Sequence, residues 1–309
     1  MSAPLKTKLF GLEFKNPVMS ASGTFGFADC YCDFFDPAIL GAVVVKAVTP
    51  LARAGNPPPR ICETYSGMLN AIGLENPGLD AYLRDIAPRL MGLDTNIIVN
   101  VAGSTIDDYV KVATAVEEAG AAHALEINIS CPNVREGCLA FGSTDKGAAS
   151  LTRAVRGAVR LPLIIKLSPN VTDISSIAAA CESEGADALS MINTLLGMQI
   201  DIKTGKPALA NLTGGLSGPA LKPVAVRMVW QAAQAVKIPI IGMGGIKDSD
   251  DAIEFMMAGA SAVAVGTAQL ADPMAIPKVI KGLEDYCKAR GMASINEIVG
   301  AACPGRGEN

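Results

Sequence analysis

The chain has 309 residues, of which 50% are hydrophobic and 18% charged, and its formal net charge is −4. With no cluster of lysines or arginines, this acidic balance argues against nucleic acid as a partner, since nothing could neutralise a row of phosphates. The eight cysteines include no Cys-x-x-Cys pair and the only histidine is His123, so cysteine-ligated metal sites, multi-histidine metal sites and a Ser-His-Asp triad are disfavoured.

The same sequence features bear on the location of the protein. Its N-terminus carries no signal-peptide pattern, and its longest apolar run is interrupted by glycines, so no membrane span is predicted. Scattered thiols are typical of a reducing compartment. We therefore expect a cytoplasmic protein.

Eight short apolar runs, mostly separated by amphipathic segments, predict an alternation of strands and helices along the chain. The expected strands are residues 17–22, 42–48, 96–102, 124–130, 163–168, 188–193, 239–244 and 262–268. The expected helices are residues 107–119, 148–159, 174–184, 223–236 and 249–258. This alternation predicts an α/β fold, a (β/α)8 TIM barrel that forms a single domain over residues 1–309, with an open doubly wound sheet as the alternative.

The segments between these elements carry their own signals. Aspartates near helix starts are expected N-caps and glycines after the helices are expected stops, at Asp107, Asp173 and Asp248 and at Gly120, Gly185 and Gly259. Residues 5–15 predict an N-terminal hairpin that closes the far end of the barrel. Long connections at 50–77, 132–147 and 194–223 each follow a strand, so we expect long βα loops over the C-terminal face of the barrel.

The strand at 124–130 is apolar on one face and polar on the other, and a thiol follows it. Glu126, Asn128 and Ser130 share the polar face, which must meet hydrogen-bonding groups if it is buried. Pro132 ends the strand and leaves Cys131 at its tip. An ordinary thiol has a pKa of roughly 8.5, so nearby lysine charge could make it a general base. A nucleophilic role is the alternative, disfavoured because no histidine partner lies in the motif.

Polar residues end most of the other expected strands as well. They are Lys46, Asn100, Asn128, Lys166, Asn193 and Thr194, with Ser20 and Ser22 from the first strand. Buried lysines are costly unless they are paired or bind a ligand, and this set has too few carboxylates for a closed network of salt bridges. The alternative is that loop carbonyls accept hydrogen bonds from each of these side chains locally. The set favours a polar ligand with several carbonyls and anionic groups.

Glycines at the ends of the last two strands give a separate signal. Residues 241–246 (IGMGGI) and 265–267 (VGT) would let backbone amides approach a phosphate, as loops after strands seven and eight of barrels often do. Tight strand-to-helix turns are the alternative explanation. The position of the glycines favours a ligand that carries a phosphomonoester.

These motifs together resemble those of the class 1 dihydroorotate dehydrogenases, over essentially the whole chain. The matching segments are 16–24 (NPVMSASGT), 46–50 (KAVTP), 70–78 (NAIGLENPG), 128–133 (NISCPN), 165–169 (IKLSP), 215–219 (GLSGP) and 242–245 (GMGG). Cytosolic members of the family use a cysteine base, whereas membrane-bound members use serine and have an N-terminal membrane extension. Cys131 and the lack of such an extension in this sequence imply the cytosolic group.

Residues 215–227 (GLSGPALKPVAVR) are similar to the NAD-linked subclass. That resemblance implies an FMN-containing catalytic subunit that forms a homodimer and joins two copies of an iron–sulfur flavoprotein in a heterotetramer. The partner subunit would carry FAD and a [2Fe–2S] cluster and relay electrons to NAD⁺. A fumarate-dependent class 1A enzyme remains an alternative, as does a flavin-free phosphate-binding barrel such as an isomerase or synthase.

The resemblance also implies a role for each site residue in oxidising dihydroorotate to orotate. Cys131 would remove the C5 proton while hydride passes from C6 to N5 of FMN. Substrate binding is implied for Lys46, Asn70, Ala71, Ile72, Gly73, Leu74, Asn128, Asn193 and Thr194. Flavin binding is implied for Ser22, Lys46, Ala47, Asn100, Asn128, Lys166, Ile192, Gly218, Gly244, Gly245, Gly266 and Thr267. Lys166 would stabilise negative charge on the reduced flavin.

Overall fold

A computed structural model describes residues 4–130 and 141–304 of the chain. Eight parallel strands in it close into a barrel, as the alternation of apolar runs predicts. In chain order they are β3 (Val18–Ser20), β4 (Ala42–Val44), β7 (Asn96–Val101), β8 (Ala124–Asn128), β9 (Leu163–Lys166), β10 (Ala188–Met191), β15 (Ile240–Met243) and β16 (Ala262–Val265). Around the barrel each strand pairs with its neighbours in sequence, and β16 closes onto β3. The eight-strand prediction is confirmed, and the open sheet is wrong.

Helices cover the outside of the barrel. Within the described residues they are α1 (Leu79–Ala81), α2 (Ala87–Leu90), α3 (Ile106–Glu118), α4 (Asp145–Ala158), α5 (Ile174–Ser183), α6 (Lys222–Ala235), α7 (Ser249–Met257), α8 (Ala268–Ala271) and α9 (Ala275–Arg290). A π-helical turn, Tyr82–Ile86, joins α1 to α2, and short 3₁₀ turns lie at Asp29–Tyr31, Pro37–Ile39, Pro219–Leu221 and Ile295–Ile298. All five predicted helices are present, whereas the short helices α1, α2 and α8 and the long helix α9 were not predicted.

The helix boundaries follow the expected caps with one exception. Asp173 and Asp248 accept hydrogen bonds from the first turns of α5 and α7. Helix α3, however, is capped by Thr105, which forms a capping box with Asp108, so the prediction of Asp107 as its N-cap is wrong. The predicted glycine stops all have positive φ, at Gly120, Gly185 and Gly259.

The lower half of the barrel interior is apolar and is closed by an N-terminal hairpin. Strands β1 (Thr7–Leu9) and β2 (Leu12–Phe14) pair antiparallel. Leu9 and Phe14 belong to the same buried cluster as the inward residues at the starts of the barrel strands, including Ala124 and Ala188. This confirms the hairpin and its position at the N-terminal end. The polar inward residues lie higher, toward the C-terminal ends of the strands.

Two of the long connections meet in a small sheet beside the C-terminal face of the barrel. Its strands are β5 (Ile61–Thr64), β6 (Gly67–Asn70), β11 (Leu195–Gly197) and β14 (Gly214–Ser217), in the order β11-β14-β6-β5. A two-stranded ribbon, β12 (Ile200–Asp201) and β13 (Lys206–Pro207), projects from the same connection. Because β14 pairs with β6, residues far apart in sequence form one wall above the barrel.

Candidate active site

A cavity of about 1190 Å³ opens at the C-terminal ends of the barrel strands, below the four-stranded sheet. Its volume exceeds that of pockets that hold one drug-sized ligand, so it has room for two ligands side by side. Most of the predicted site residues line it: Ser22, Lys46, Ala47, Asn70, Ile72, Leu74, Asn100, Asn128, Lys166, Ile192, Asn193, Thr194, Gly218, Gly244, Gly245, Gly266 and Thr267. The structure thus brings together residues from nearly the whole length of the chain.

Two predicted site residues do not line this cavity, and a third lies outside the described residues. Ala71 is fully buried and packs with Leu69 and Leu209 beneath the small sheet. Gly73 turns the chain with φ of 77° and lies against Asn56. Cys131 lies outside the described residues, together with the rest of the segment 131–140.

The loop at 70–78 is fixed in place by Asn76. Its Oδ1 accepts hydrogen bonds from the backbone of Thr49 at 3.2 Å and of Gly78 at 2.9 Å. Its Nδ2 donates to Thr49 Oγ1 and to the carbonyl of Leu74, both at 2.8 Å. These four hydrogen bonds of a buried amide fix the loop from which Ile72 and Leu74 line the cavity.

A buried carboxylate lies under the polar end of the cavity. Glu126, 2% exposed, accepts a hydrogen bond from Ser190 Oγ at 2.7 Å and one from Asn100 Nδ2 at 2.5 Å. Its Oε2 lies 3.6 Å from Nζ of Lys166, which is 4% exposed. Lys166 Nζ also donates to Ser22 Oγ at 2.7 Å. The expectation that carboxylates were too few to pair the strand-end lysines is therefore wrong.

Asn100 has one unmatched polar atom. Its Nδ2 is directed to Glu126 and to Ser22 Oγ at 3.3 Å. Its Oδ1 is buried and has no hydrogen-bond partner among the described residues. Leaving a buried acceptor unpaired costs about 1–3 kcal/mol, so this oxygen favours a ligand that donates a hydrogen bond here.

A second polar set joins the ends of β8 and β10. Ser130 donates to Asn128 Oδ1 through both its backbone nitrogen, at 3.2 Å, and its hydroxyl, at 3.0 Å. Asn193 Nδ2 donates to Ser130 Oγ at 2.7 Å, and Asn193 Oδ1 accepts from the backbone of Thr194 at 2.8 Å. With its oxygen held by Ser130, Asn128 presents its Nδ2 donor to a ligand.

By contrast Ser20 bonds to the backbone of Val44 inside the barrel wall and does not reach the cavity, contrary to its place in the predicted set.

The glycines at the ends of β15 and β16 are explained in part by close packing. Gly245 has φ of 91°, and a Cβ there would lie 2.8 Å from the backbone nitrogen of Lys222 and 2.9 Å from the carbonyl of Gly218. Gly244 has φ of 121° and lies against Ala225. The glycines therefore let the end of β15 approach the start of α6 while their backbone faces the cavity. The tight-turn explanation therefore applies to them, and the ligand explanation stays a prediction.

Comparisons with known proteins agree with this geometry. The family model of dihydroorotate dehydrogenase matches residues 4–287. The chain belongs to the dihydroorotate dehydrogenase family. A relative from Geobacillus kaustophilus is 55% identical over 296 residues, covering 96% of this chain and 95% of its own length. One from Bacteroides thetaiotaomicron is 53% identical over 299 residues, covering 97% of this chain and 99% of its own. Both are named dihydroorotate dehydrogenase B (NAD(+)), catalytic subunit.

The barrel of this dihydroorotate dehydrogenase family member also matches a solved structure. It is the crystal structure of the dihydroorotate dehydrogenase of Eimeria tenella in complex with ferulenol. The TM-score is 0.80 at 26% sequence identity, with 96% of this chain and 88% of that chain covered. No helix in the described part of this chain is long and apolar enough to cross a membrane.

Glu126 and Glu75 were not predicted as part of the site. Glu126 has a signal in the sequence, because it precedes Asn128 by two residues and the period of a strand places both on one face. Glu75 Oε2 lies 3.7 Å from Lys46 Nζ, and nothing local in the sequence indicates that contact. Each strand-end lysine thus has a carboxylate neighbour, one deeply buried and one at the mouth of the cavity.

Proposed function

We propose that this chain oxidises (S)-dihydroorotate to orotate in de novo pyrimidine biosynthesis, with FMN as its bound flavin and NAD⁺ as the final acceptor. The observation that carries this proposal is the cavity itself, which gathers two lysines and three asparagines from separate barrel strands in a family member. Donors and cations in such number suit a ligand pair rich in carbonyl and anionic groups.

The substrate would lie under the small sheet, at the mouth of the cavity. Lys46 supplies a positive charge for the carboxylate of dihydroorotate, and Asn128, Asn193 and Thr194 supply hydrogen bonds for the ring amides. Asn70 with Ala71, Ile72, Gly73 and Leu74 forms the wall above. Ala71 and Gly73 act there through backbone shape, since their side of the loop packs away from the cavity.

FMN would lie deeper, against the strand ends. The unpaired Asn100 Oδ1 fits an N–H of a flavin ring, and Lys166 fits a site where negative charge develops. Ser22, Ala47 and Ile192 line the same region, and Lys46 and Asn128 lie between the two ligands. The phosphate would be held by the glycines and threonine that follow β14, β15 and β16, at Gly218, Gly244, Gly245, Gly266 and Thr267. A flavin held there would supply the acceptor for the hydride that leaves C6 of the substrate.

Cys131 is proposed as the base that takes the C5 proton. It follows directly on Ser130, which is buried between Asn128 and Asn193. The backbone at residue 130 is thus anchored to two proposed substrate-binding side chains. Positive charge close to a thiol favours its thiolate and activates it as a base.

The electrons would leave through a second protein. We propose an iron–sulfur flavoprotein partner carrying FAD and a [2Fe–2S] cluster, in a cytoplasmic heterotetramer built on a homodimer of this chain. The names of the two relatives support a partner, because both are called catalytic subunits of an NAD⁺ enzyme.

We also propose that residues 1–309 form one domain, since one buried cluster joins Leu5 to Cys303.

The direct test of these roles compares Cys131→Ala and Cys131→Ser with the wild-type chain. Both variants should keep the yellow flavin and bind orotate, seen as a shift of the flavin spectrum. Oxidation of dihydroorotate with a dye as acceptor should fall by about a hundredfold or more in the alanine variant, as for loss of a general base. An alanine variant with wild-type activity would refute the role of Cys131. Rapid turnover of the purified chain with fumarate would refute the NAD⁺ linkage.

A further inference from the structure

Glu126 is a buried charge for which substrate and flavin binding alone give no reason. Its side chain points into the barrel from β8, beside Asn100 in the register of β7 and β8 and two residues before the level of Lys166 on β9. The buried cluster beneath it is apolar and includes Ile98, Ile164 and Ala264. A carboxylate is costly at such a position unless its oxygens are paired. Among the described residues, Ser190, Asn100 and Lys166 are the partners of the Glu126 carboxylate.

The carboxylate fixes which way the Asn100 amide faces. An ionised carboxylate can only accept hydrogen bonds, so the Nδ2 end of Asn100 must face Glu126. The reverse orientation would place two acceptor oxygens in contact. The unpaired Oδ1 is thereby presented as an acceptor, and its partner must be a donor such as a ring N–H.

The same carboxylate offsets the charge of Lys166. Their charged atoms are 3.6 Å apart and both side chains are almost completely buried, so solvent screens the pair little. Ser22 Oγ completes the contact, since it accepts from both Lys166 Nζ and Asn100 Nδ2. A ligand in the cavity next to Lys166 therefore meets a lysine whose positive charge is largely balanced by the Glu126 carboxylate.

We propose that Glu126 is a positioning residue of the flavin site. It holds Asn100 with its oxygen toward the flavin, and it sets how much of the positive charge of Lys166 the flavin experiences. This inference rests on the proposed function. The two effects are separable, because glutamine at 126 can still accept from Asn100 while its amide donates to Ser190, whereas alanine can do neither.

The test measures the midpoint potential and the FMN affinity of the full-length chain, as wild type, Glu126→Gln and Glu126→Ala. In the glutamine variant the uncompensated Lys166 favours the anionic reduced flavin, so the potential rises while the affinity for oxidised FMN changes less than about threefold. The alanine variant loses the orientation of Asn100 and should bind FMN about tenfold or more weakly, the size expected when a buried hydrogen-bond partner is lost. Glu284→Gln, which removes the same charge from the surface of α9, should match the wild type in both measurements.

The outcomes separate this inference from the proposed function. If the wild-type chain binds FMN and is reduced by dihydroorotate, yet Glu126→Gln leaves the potential unchanged, the inference is overturned and the proposed function stands. A wild-type chain that binds no FMN overturns both. The glutamine variant is nearly isosteric, so the test remains decisive even where the alanine variant fails to fold.

Discussion

Lys46 Nζ lies 3.7 Å from Oε2 of Glu75 at the mouth of the cavity, and the same oxygen lies 3.2 Å from Nη1 of Arg60. Glu75 is 46% exposed and Lys46 25% exposed, so solvent weakens the attraction between them. The carboxylate already has Arg60 as a partner. Breaking the contact between Lys46 and Glu75 therefore costs little, as the proposed role of Lys46 in binding the substrate carboxylate requires.

Replacement of Lys46 by alanine should impair catalysis far more than stability. We expect kcat/KM for dihydroorotate to fall about 10- to 100-fold, the loss of one charged hydrogen bond to the substrate. The free energy of unfolding should change by less than about 1 kcal/mol, because the ion pair is partly exposed. Lys15→Ala, which breaks the pair with Asp94 at the opposite end of the barrel, is the control and should leave kcat/KM unchanged. Equal kcat/KM for Lys46→Ala and wild type would refute the substrate role.

Ser130→Ala should weaken both the fold and the substrate site. The hydroxyl is fully buried and bonds to Asn128 and Asn193, so its loss leaves one buried and one half-buried amide partly unpaired. We expect a loss of about 1–3 kcal/mol in urea unfolding, with a higher KM for dihydroorotate. Ser183→Ala, at an exposed helix end, should change neither quantity. A Ser130→Ala protein with wild-type stability would mean that these contacts contribute little.

Gly245→Ala tests whether the glycine turn after β15 is required. The positive φ and the short distances to Lys222 and Gly218 should lower stability by about 1–3 kcal/mol or more. The distorted turn should also weaken FMN binding, measured by fluorescence of released flavin. Gly157→Ala is the matched control, since Gly157 lies in α4 with open space around it and alanine favours helix there. If both variants bind FMN equally well, the turn does not serve the phosphate.

His123 should make stability depend on pH. Its Nδ1 accepts a hydrogen bond from the backbone of Ile97 at 2.9 Å, and burial lowers its pKa below the ordinary value of 6.5. The unfolded chain therefore takes up a proton before the folded one does. Stability from this residue is complete above about pH 6.5 and is lost as pH falls toward the lower folded pKa.

The measurement for His123 is urea unfolding at pH 7.5 and pH 5.5. His123→Asn keeps an acceptor that does not titrate, so its stability should fall less between these pH values than that of the wild type. Identical pH dependence in the two proteins would contradict this role for His123.

The barrel was predictable because its signals are local. Each barrel strand is a short apolar run, and Asp173, Asp248 and the three glycine stops mark boundaries in the sequence itself. Thr105 rather than Asp107 caps α3 because capping requires extended backbone at the residue before the first turn, which the sequence does not reveal. Helix α9 has a regular apolar spacing, at Ile276, Val279, Leu283 and Cys287, and could have been predicted.

For the site, the sequence allowed many of the residues at the cavity to be predicted, but not the contacts between them. Residues at strand ends must meet when a barrel closes, so Lys46, Asn100 and Lys166 could be grouped in advance. Their partners could not, because the pairing of Gly215 with Asn70 and the contact between Glu75 and Lys46 depend on how long loops fold back. For Glu126, the sequence predicts the strand face on which it lies, but it does not predict its contact with Lys166.

The central claim is most directly tested by anaerobic titration of the purified chain with dihydroorotate, followed by the absorbance of its flavin. Each equivalent of dihydroorotate should bleach one equivalent of oxidised FMN and yield one equivalent of orotate, and Cys131→Ala should remain yellow over the same period. A wild-type chain that contains no flavin, or whose flavin stays oxidised with dihydroorotate in excess, would contradict the account.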